Sequence, residues 1–140
     1  MKILLAIDGS AFTKKMLAYL TTHDELFSAQ NSYTLLTVSP QLPPRARAAV
    51  GKEMVEAYHR EEAEKVLAPV TKFLLRHGID AQTMSKVGHA GETISKTADS
   101  GKFDLVVMGS HGHGTLGNLV MGSVATQVLA GSKVPVLLVR

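Results

Sequence analysis

The stretch Phe103-Asp104-Leu105-Val106-Val107-Met108-Gly109-Ser110-His111-Gly112, followed nine residues later by Gly122-Ser123, decides how this chain folds and what it can hold. Phe103 to Met108 is a short apolar run and predicts a buried strand, whereas Val124-Ala125-Thr126-Gln127-Val128-Leu129-Ala130 predicts a helix. The glycines therefore sit where a strand hands over to a helix. Glycine keeps no side chain between backbone and ligand, and a helix N-terminus offers unpaired N–H groups and the positive end of its dipole. A phosphate suits both. From Leu105 to Arg140 there is no Asp or Glu, so a polyphosphate meets no repulsion from this segment. A tight, acid-free turn is the simpler alternative, but four glycines between Gly109 and Gly117 exceed what a turn needs.

Two familiar phosphate motifs fail on the same residues. Gly112, Gly114 and Gly117 spell G-x-G-x-x-G, yet a dinucleotide site places this after the first strand and needs an acid about twenty residues later. No acid follows. The Gly-Lys pairs Gly51-Lys52 and Gly101-Lys102 continue with Glu53 and Phe103 rather than Ser or Thr, so neither is a Walker A loop. His111-Gly112-His113 also lacks the H-x-G-H order of nucleotidyl transfer.

Outward from this stretch, apolar runs near 2–7, 32–38, 80–87, 103–108 and 135–139 alternate with helical patterns near 11–22, 50–77, 91–101 and 122–131. The alternation predicts an α/β fold, an open parallel sheet with helices on both faces. The third helix is expected to be capped by Gly101. The proline-rich segment 39–47 reads as a loop, and Pro69 is expected to kink or divide the long second helix.

Composition narrows the function classes. With 140 residues, 45% hydrophobic, the chain suits one domain, 1–140. The absence of cysteine removes disulfides, thiolate catalysis and cysteine-ligated zinc. A net charge of +3, spread along the chain, gives little support to nucleic-acid binding. No run of about eighteen apolar residues suggests a membrane span, so a soluble, cytoplasmic protein is expected.

The chain resembles the universal stress protein family in four segments: Gly109-Ser110-His111-Gly112, nine residues and Gly122-Ser123; the closing Lys133-Val134-Pro135-Val136-Leu137-Leu138-Val139; the opening Lys2-Ile3-Leu4-Leu5-Ala6-Ile7-Asp8-Gly9-Ser10; and Val87-Gly88-His89-Ala90-Gly91-Glu92-Thr93-Ile94. The resemblance implies five strands in the order 3-2-1-4-5. The ligand crevice would then lie between strands one and four, with Asp8 facing Gly109.

It also implies nucleotide contacts from Ala6, Asp8, Val38, Met108, Gly109, Ser110, His111, Gly112, Gly122, Ser123 and Val124. Simpler roles stand beside these: Asp8 as a helix cap or tight turn, Val38 and Met108 as core, Ser123 as the N-cap of its helix. The implied ligand is ATP, with AMP or ADP as variants and Mg²⁺ held mainly through the phosphates. His111 and His113 alone offer too few ligands for a transition metal. The loop supplies neither a Walker lysine nor an obvious base, so no catalytic residue is assigned and at most slow ATP hydrolysis is expected.

The implied role is a stress-linked regulator whose nucleotide changes its assembly or its protein partners, which the sequence does not name. A flavin or AMP-binding relative and an interaction domain with a vestigial crevice are the alternatives. The last strand, 134–139, is apolar and is expected on a sheet edge, where the resemblance implies a homodimer.

Overall fold

Strand β1 (Lys2–Ala6) is apolar on both faces, which only a sheet covered on both sides can use. In the computed structural model, which describes residues 1–113 and 121–140, it lies at the centre of a five-stranded sheet. The other strands are β2 (Ser32–Ser39), β3 (Gln82–Val87), β4 (Leu105–Gly109) and β5 (Val136–Val139). The order is β3-β2-β1-β4-β5 and all pairings are parallel. Leu4 is level with Thr34 on one side and Val106 on the other.

The helices are α1 (Ala11–Thr21), α2 (Pro44–Val50), α3 (Lys52–Arg76), α4 (Ala90–Ser100) and α5 (Ser123–Gly131). Alternation along β1 sorts them into two layers. Ile3, Leu5 and Ile7 pack with Met16, Leu17 and Leu20 of α1 and Leu67, Val70 and Leu74 of α3. Leu4 and Ala6 pack with Ile94 and Ala98 of α4 and Ala125 and Val128 of α5.

Two local expectations need correction and a third holds. Segment 39–47 is not all loop, because α2 starts at Pro44. Proline at the first helical position has no N–H to waste and its φ is already helical, so a proline cluster can open a helix as well as break one. The helical stretch 50–77 is divided at Gly51 (φ 84°), whereas α3 runs on through Pro69. Pro69 cannot donate to the Lys65 carbonyl, but Leu67, Val70 and Leu74 hold that part of α3 on the sheet. Gly101 does cap α4, but at φ −80°; the left-handed residue is Lys102. Gly101 is small for a different reason: a Cβ there would lie 2.6 Å from the Phe103 ring and 2.9 Å from the Thr97 carbonyl oxygen.

Candidate functional site

From β1 the chain winds outward to β2 and β3, and from β4 it winds the opposite way to β5, so the connections part at the carboxyl ends of β1 and β4. Ala6 pairs with Met108 as the last residue pair of this junction. A crevice of about 180 Å³ opens above it.

The turn after β1 is built by side chains. Asp8 Oδ1 accepts hydrogen bonds from the Ser10 N–H (2.9 Å) and the Thr13 hydroxyl (3.0 Å). The Thr13 oxygen in turn accepts from the Asp8 N–H (3.2 Å). Gly9 takes φ +78°, and Ser10 is the residue that caps α1. Asp8 thus shapes its turn while its second oxygen borders the crevice: a Cβ on Gly112 would lie 2.6 Å from Oδ2.

The loop after β4 is built by backbone and by missing side chains. The Ser110 N–H donates to the Val139 carbonyl (2.9 Å), and the Gly122 N–H donates to the Ser110 carbonyl (2.7 Å). Gly122 is the N-cap of α5, and its carbonyl accepts from the Thr126 N–H and hydroxyl. A Cβ on Gly122 would stand 3.1 Å from His111 Cα and 3.2 Å from the Ser110 oxygen. A Cβ on Gly109 would meet that of Phe12 at 2.6 Å. The two segments can approach closely only because these positions are bare.

The crevice brings together Ala6, Asp8, Val38, Met108, Gly109, His111, Gly112, Gly122, Ser123 and Val124. Ser110, expected among them, does not line it. Its side chain is buried, with Oγ 2.8 Å from His111 Nδ1, because pairing with β5 turns the residue inward. Asp8 and Gly109 line the same crevice; the Asp8 Oδ2 lies against Gly112, and the side chain nearest Gly109 is that of Phe12. Ser123 is the first residue of α5 and not its N-cap. Gly114 and Gly117 lie outside the described residues.

Sequence reasoning missed Thr13, Leu36, Ala90 and Ile94 as lining residues. Thr13 was findable as the hydroxyl one helical turn beyond an Asp-Gly-Ser turn. Ala90 and Ile94 both come from α4, in the segment Val87 to Ile94 that carries the family resemblance, whereas Leu36 lies within the apolar run of β2 and has no local signal of its own. His113 also lines the crevice, where its Nε2–H donates to the Asp8 carbonyl oxygen (2.7 Å) and ties the two turns together.

Chemically, the described lining has backbone N–H groups at the start of α5, a single carboxylate, two imidazoles and no Lys or Arg. Apolar Val38, Met108 and Ile94 make its floor. This suits a flat apolar group deep in the crevice and an anion at the helix terminus. No group of three or more metal-binding side chains occurs among the described residues. No helix among them is long and apolar enough to cross a membrane.

A parallel sheet in the order β3-β2-β1-β4-β5, with a bare glycine loop and a helix N-terminus at its switch point, defines the open, doubly wound α/β class. Within that class, the model of the universal stress protein family matches residues 1–140, and the chain belongs to that family. Universal stress protein Slr1230 of Synechocystis is 34% identical over 99% of this chain, which spans only 42% of that relative's length. A universal stress protein of Thermus aquaticus is 34% identical over 99% of this chain and 97% of its own. The solved structure of MJ0577, a universal stress protein of Methanocaldococcus jannaschii, is 28% identical and superposes with a TM-score of 0.79 over 99% of this chain and 94% of that one. The Archaeoglobus fulgidus member in complex with dAMP (20% identical, TM-score 0.66; 100% and 98% covered) and an Arabidopsis thaliana member with AMP bound (14%, 0.64; 99% and 91% covered) share the fold.

Proposed function

We propose that this chain binds an adenine nucleotide in the β1/β4 crevice and acts as a regulator rather than a catalyst. The observation that carries the reading is the pair of bare positions, Gly112 and Gly122, beside the open N-terminus of α5. A side chain at either would fill the cradle that a phosphate needs. The adenine ring takes the apolar floor at Val38 and Met108, and the phosphates take the N–H groups of Ser123 and Val124 in the first turn of α5, beside the bare Gly112 and Gly122. The dAMP and AMP held by family members support the nucleotide class.

ATP is the preferred ligand because the imidazoles of His111 and His113 join the lining on the loop that carries Gly112, where they could meet phosphates beyond the first. With one carboxylate and no lysine or arginine among the described lining residues, Mg²⁺ would be held through the phosphates. The same lack argues against efficient phosphoryl transfer, which needs a positioned base and charge neutralisation. Such a regulator works in the cytoplasm, and nucleotide occupancy would alter its partners or assembly.

Thermal unfolding with and without millimolar Mg-ATP tests the reading. A ligand at a hundred times its dissociation constant stabilises by about 2.7 kcal/mol, or roughly 5 to 11 °C for this size. The shift is expected in the wild type and absent in Gly122→Val. No shift in wild type freed of nucleotide would end the proposal.

Assembly is proposed through β5, which among the described residues pairs with β4 alone and forms one sheet edge. The Pro135 and Val139 carbonyls face β4, so alternation turns the Val136 and Leu138 N–H groups outward. Leu138→Pro removes an outward donor and is expected to give a monomer in sedimentation where the wild type is a dimer.

A further inference from the structure

A second and larger cavity, about 510 Å³, lies between α1 and α3. Its floor is apolar: Leu17 and Val70 are buried, and Val66 and Phe73 are half-buried. Pro69, exposed in mid-helix, adds ring carbons to the wall while costing α3 a backbone bond. The rim is cationic. Lys14, Lys65 and Arg76 line the cavity and no acid does so among the described residues. Lys65 meets Glu62 at 3.0 Å on the surface, where such a pair is weak and readily exchanged.

The charges mark a direction. Val66 packs beside Gly9, 3.6 Å from where its Cβ would be, so Lys65 and Lys14 belong to the crevice end of the groove. Arg76 lies eleven helical positions further along α3, about 16 Å away.

We infer that this groove binds an amphiphilic carboxylate of medium chain length. Its chain lies over Leu17, Val66, Val70 and Phe73, and its carboxylate sits at the Lys14 and Lys65 end. Charge complementarity selects this occupant: a trough lined by Lys14, Lys65 and Arg76 disfavours a cationic amphiphile, whereas a carboxylate at the crevice end takes Lys14 and draws Lys65 from its exposed pair with Glu62. The volume falls within the range of about 300 to 1,000 Å³ usual for small-molecule sites. The site shares Thr13 with the crevice but stands without the nucleotide reading.

The test is an amide NMR titration of the nucleotide-free protein with sodium decanoate below its micellar range. Saturable shifts are expected at Thr13, Leu17, Val66, Val70 and Phe73, with no competition from a decyl-trimethylammonium cation. The exposed double substitution Lys14→Glu, Lys65→Glu is expected to weaken decanoate at least tenfold without loss of fold, as read from the dispersed spectrum. Shifts scattered over the surface, equal binding of the cationic amphiphile, or an unchanged affinity in the double variant would each overturn the assignment. Groove signals that move with protein concentration alone would also overturn it, pointing to a second copy of the chain as the occupant.

Discussion

The two turns that meet at the crevice are made of opposite materials. After β1, the chain is held by side chains: one carboxylate oxygen of Asp8 gathers the Ser10 N–H and the Thr13 hydroxyl. After β4, it is held by backbone, Ser110 to Val139 and Gly122 to Ser110, with side chains absent where they would collide. A turn of the first kind is broken by deleting an atom, and one of the second kind by adding one. The first positions a charge, while the second leads into a helix N-terminus that no side chain caps, which is what an anion requires.

Adding atoms to the β4 loop should have the largest effect. The neighbours of Gly122 are backbone atoms that cannot swing aside. Gly122→Val is therefore expected to cost about 1 to 3 kcal/mol as overpacking, read from the midpoint of urea unfolding, besides abolishing the nucleotide shift. A fully stable variant would mean the loop is looser than its contacts indicate. Gly109→Ala comes next, expected to cost about 1 to 2 kcal/mol because its Cβ would meet Phe12 Cβ and nearby backbone.

Deleting an atom from the β1 turn tests the other half. Thr13→Val keeps the shape but leaves the Asp8 N–H and Oδ1 each one partner short, for roughly 1 kcal/mol. Where the turns touch, the effects should be coupled. Gly112→Ala pushes on Asp8 Oδ2, so its cost should fall in an Asp8→Ala background, and a double-mutant cycle that proves additive would separate the two turns.

A reference remote from both turns completes the series. The Tyr33 hydroxyl donates to the Ser28 carbonyl (2.8 Å), and burial pushes its pKa above the usual 10.0, with Asn31 opposing. The folded protein thus holds this proton more tightly than the unfolded chain. Its contribution is complete below the unfolded pKa and is lost as pH rises through the folded one. Stability measured above pH 10 should fall less steeply in Tyr33→Phe, with no change in nucleotide binding.

What could be read before folding follows from burial. β1 and β4 are covered on both faces, so their sequences are nearly unbroken apolar runs and declare themselves. α2 stayed hidden because its prolines look like breakers, and only their place at the helix start makes them acceptable. Ser110 was expected at the site by its nearness to Gly109, yet pairing with β5, some thirty residues on, turns it inward. Asp8 and Gly109 share the crevice as the ends of adjacent strands, and the path of the loop, which no local pattern encodes, brings Gly112 to the Asp8 carboxylate.

By itself the sequence determined the α/β alternation, the placement of a bare glycine loop at a strand-to-helix junction, and membership of the universal stress protein family. These properties are periodic or local, written into neighbouring residues by the burial and backbone freedom each must have. Only the tertiary structure decided which oxygen of Asp8 borders the crevice, that His113 ties its two turns together, and that α1 and α3 enclose a cationic-rimmed groove. Each of these joins residues about fifty to a hundred positions apart, and packing across the sheet, rather than any preference along the chain, sets their distance.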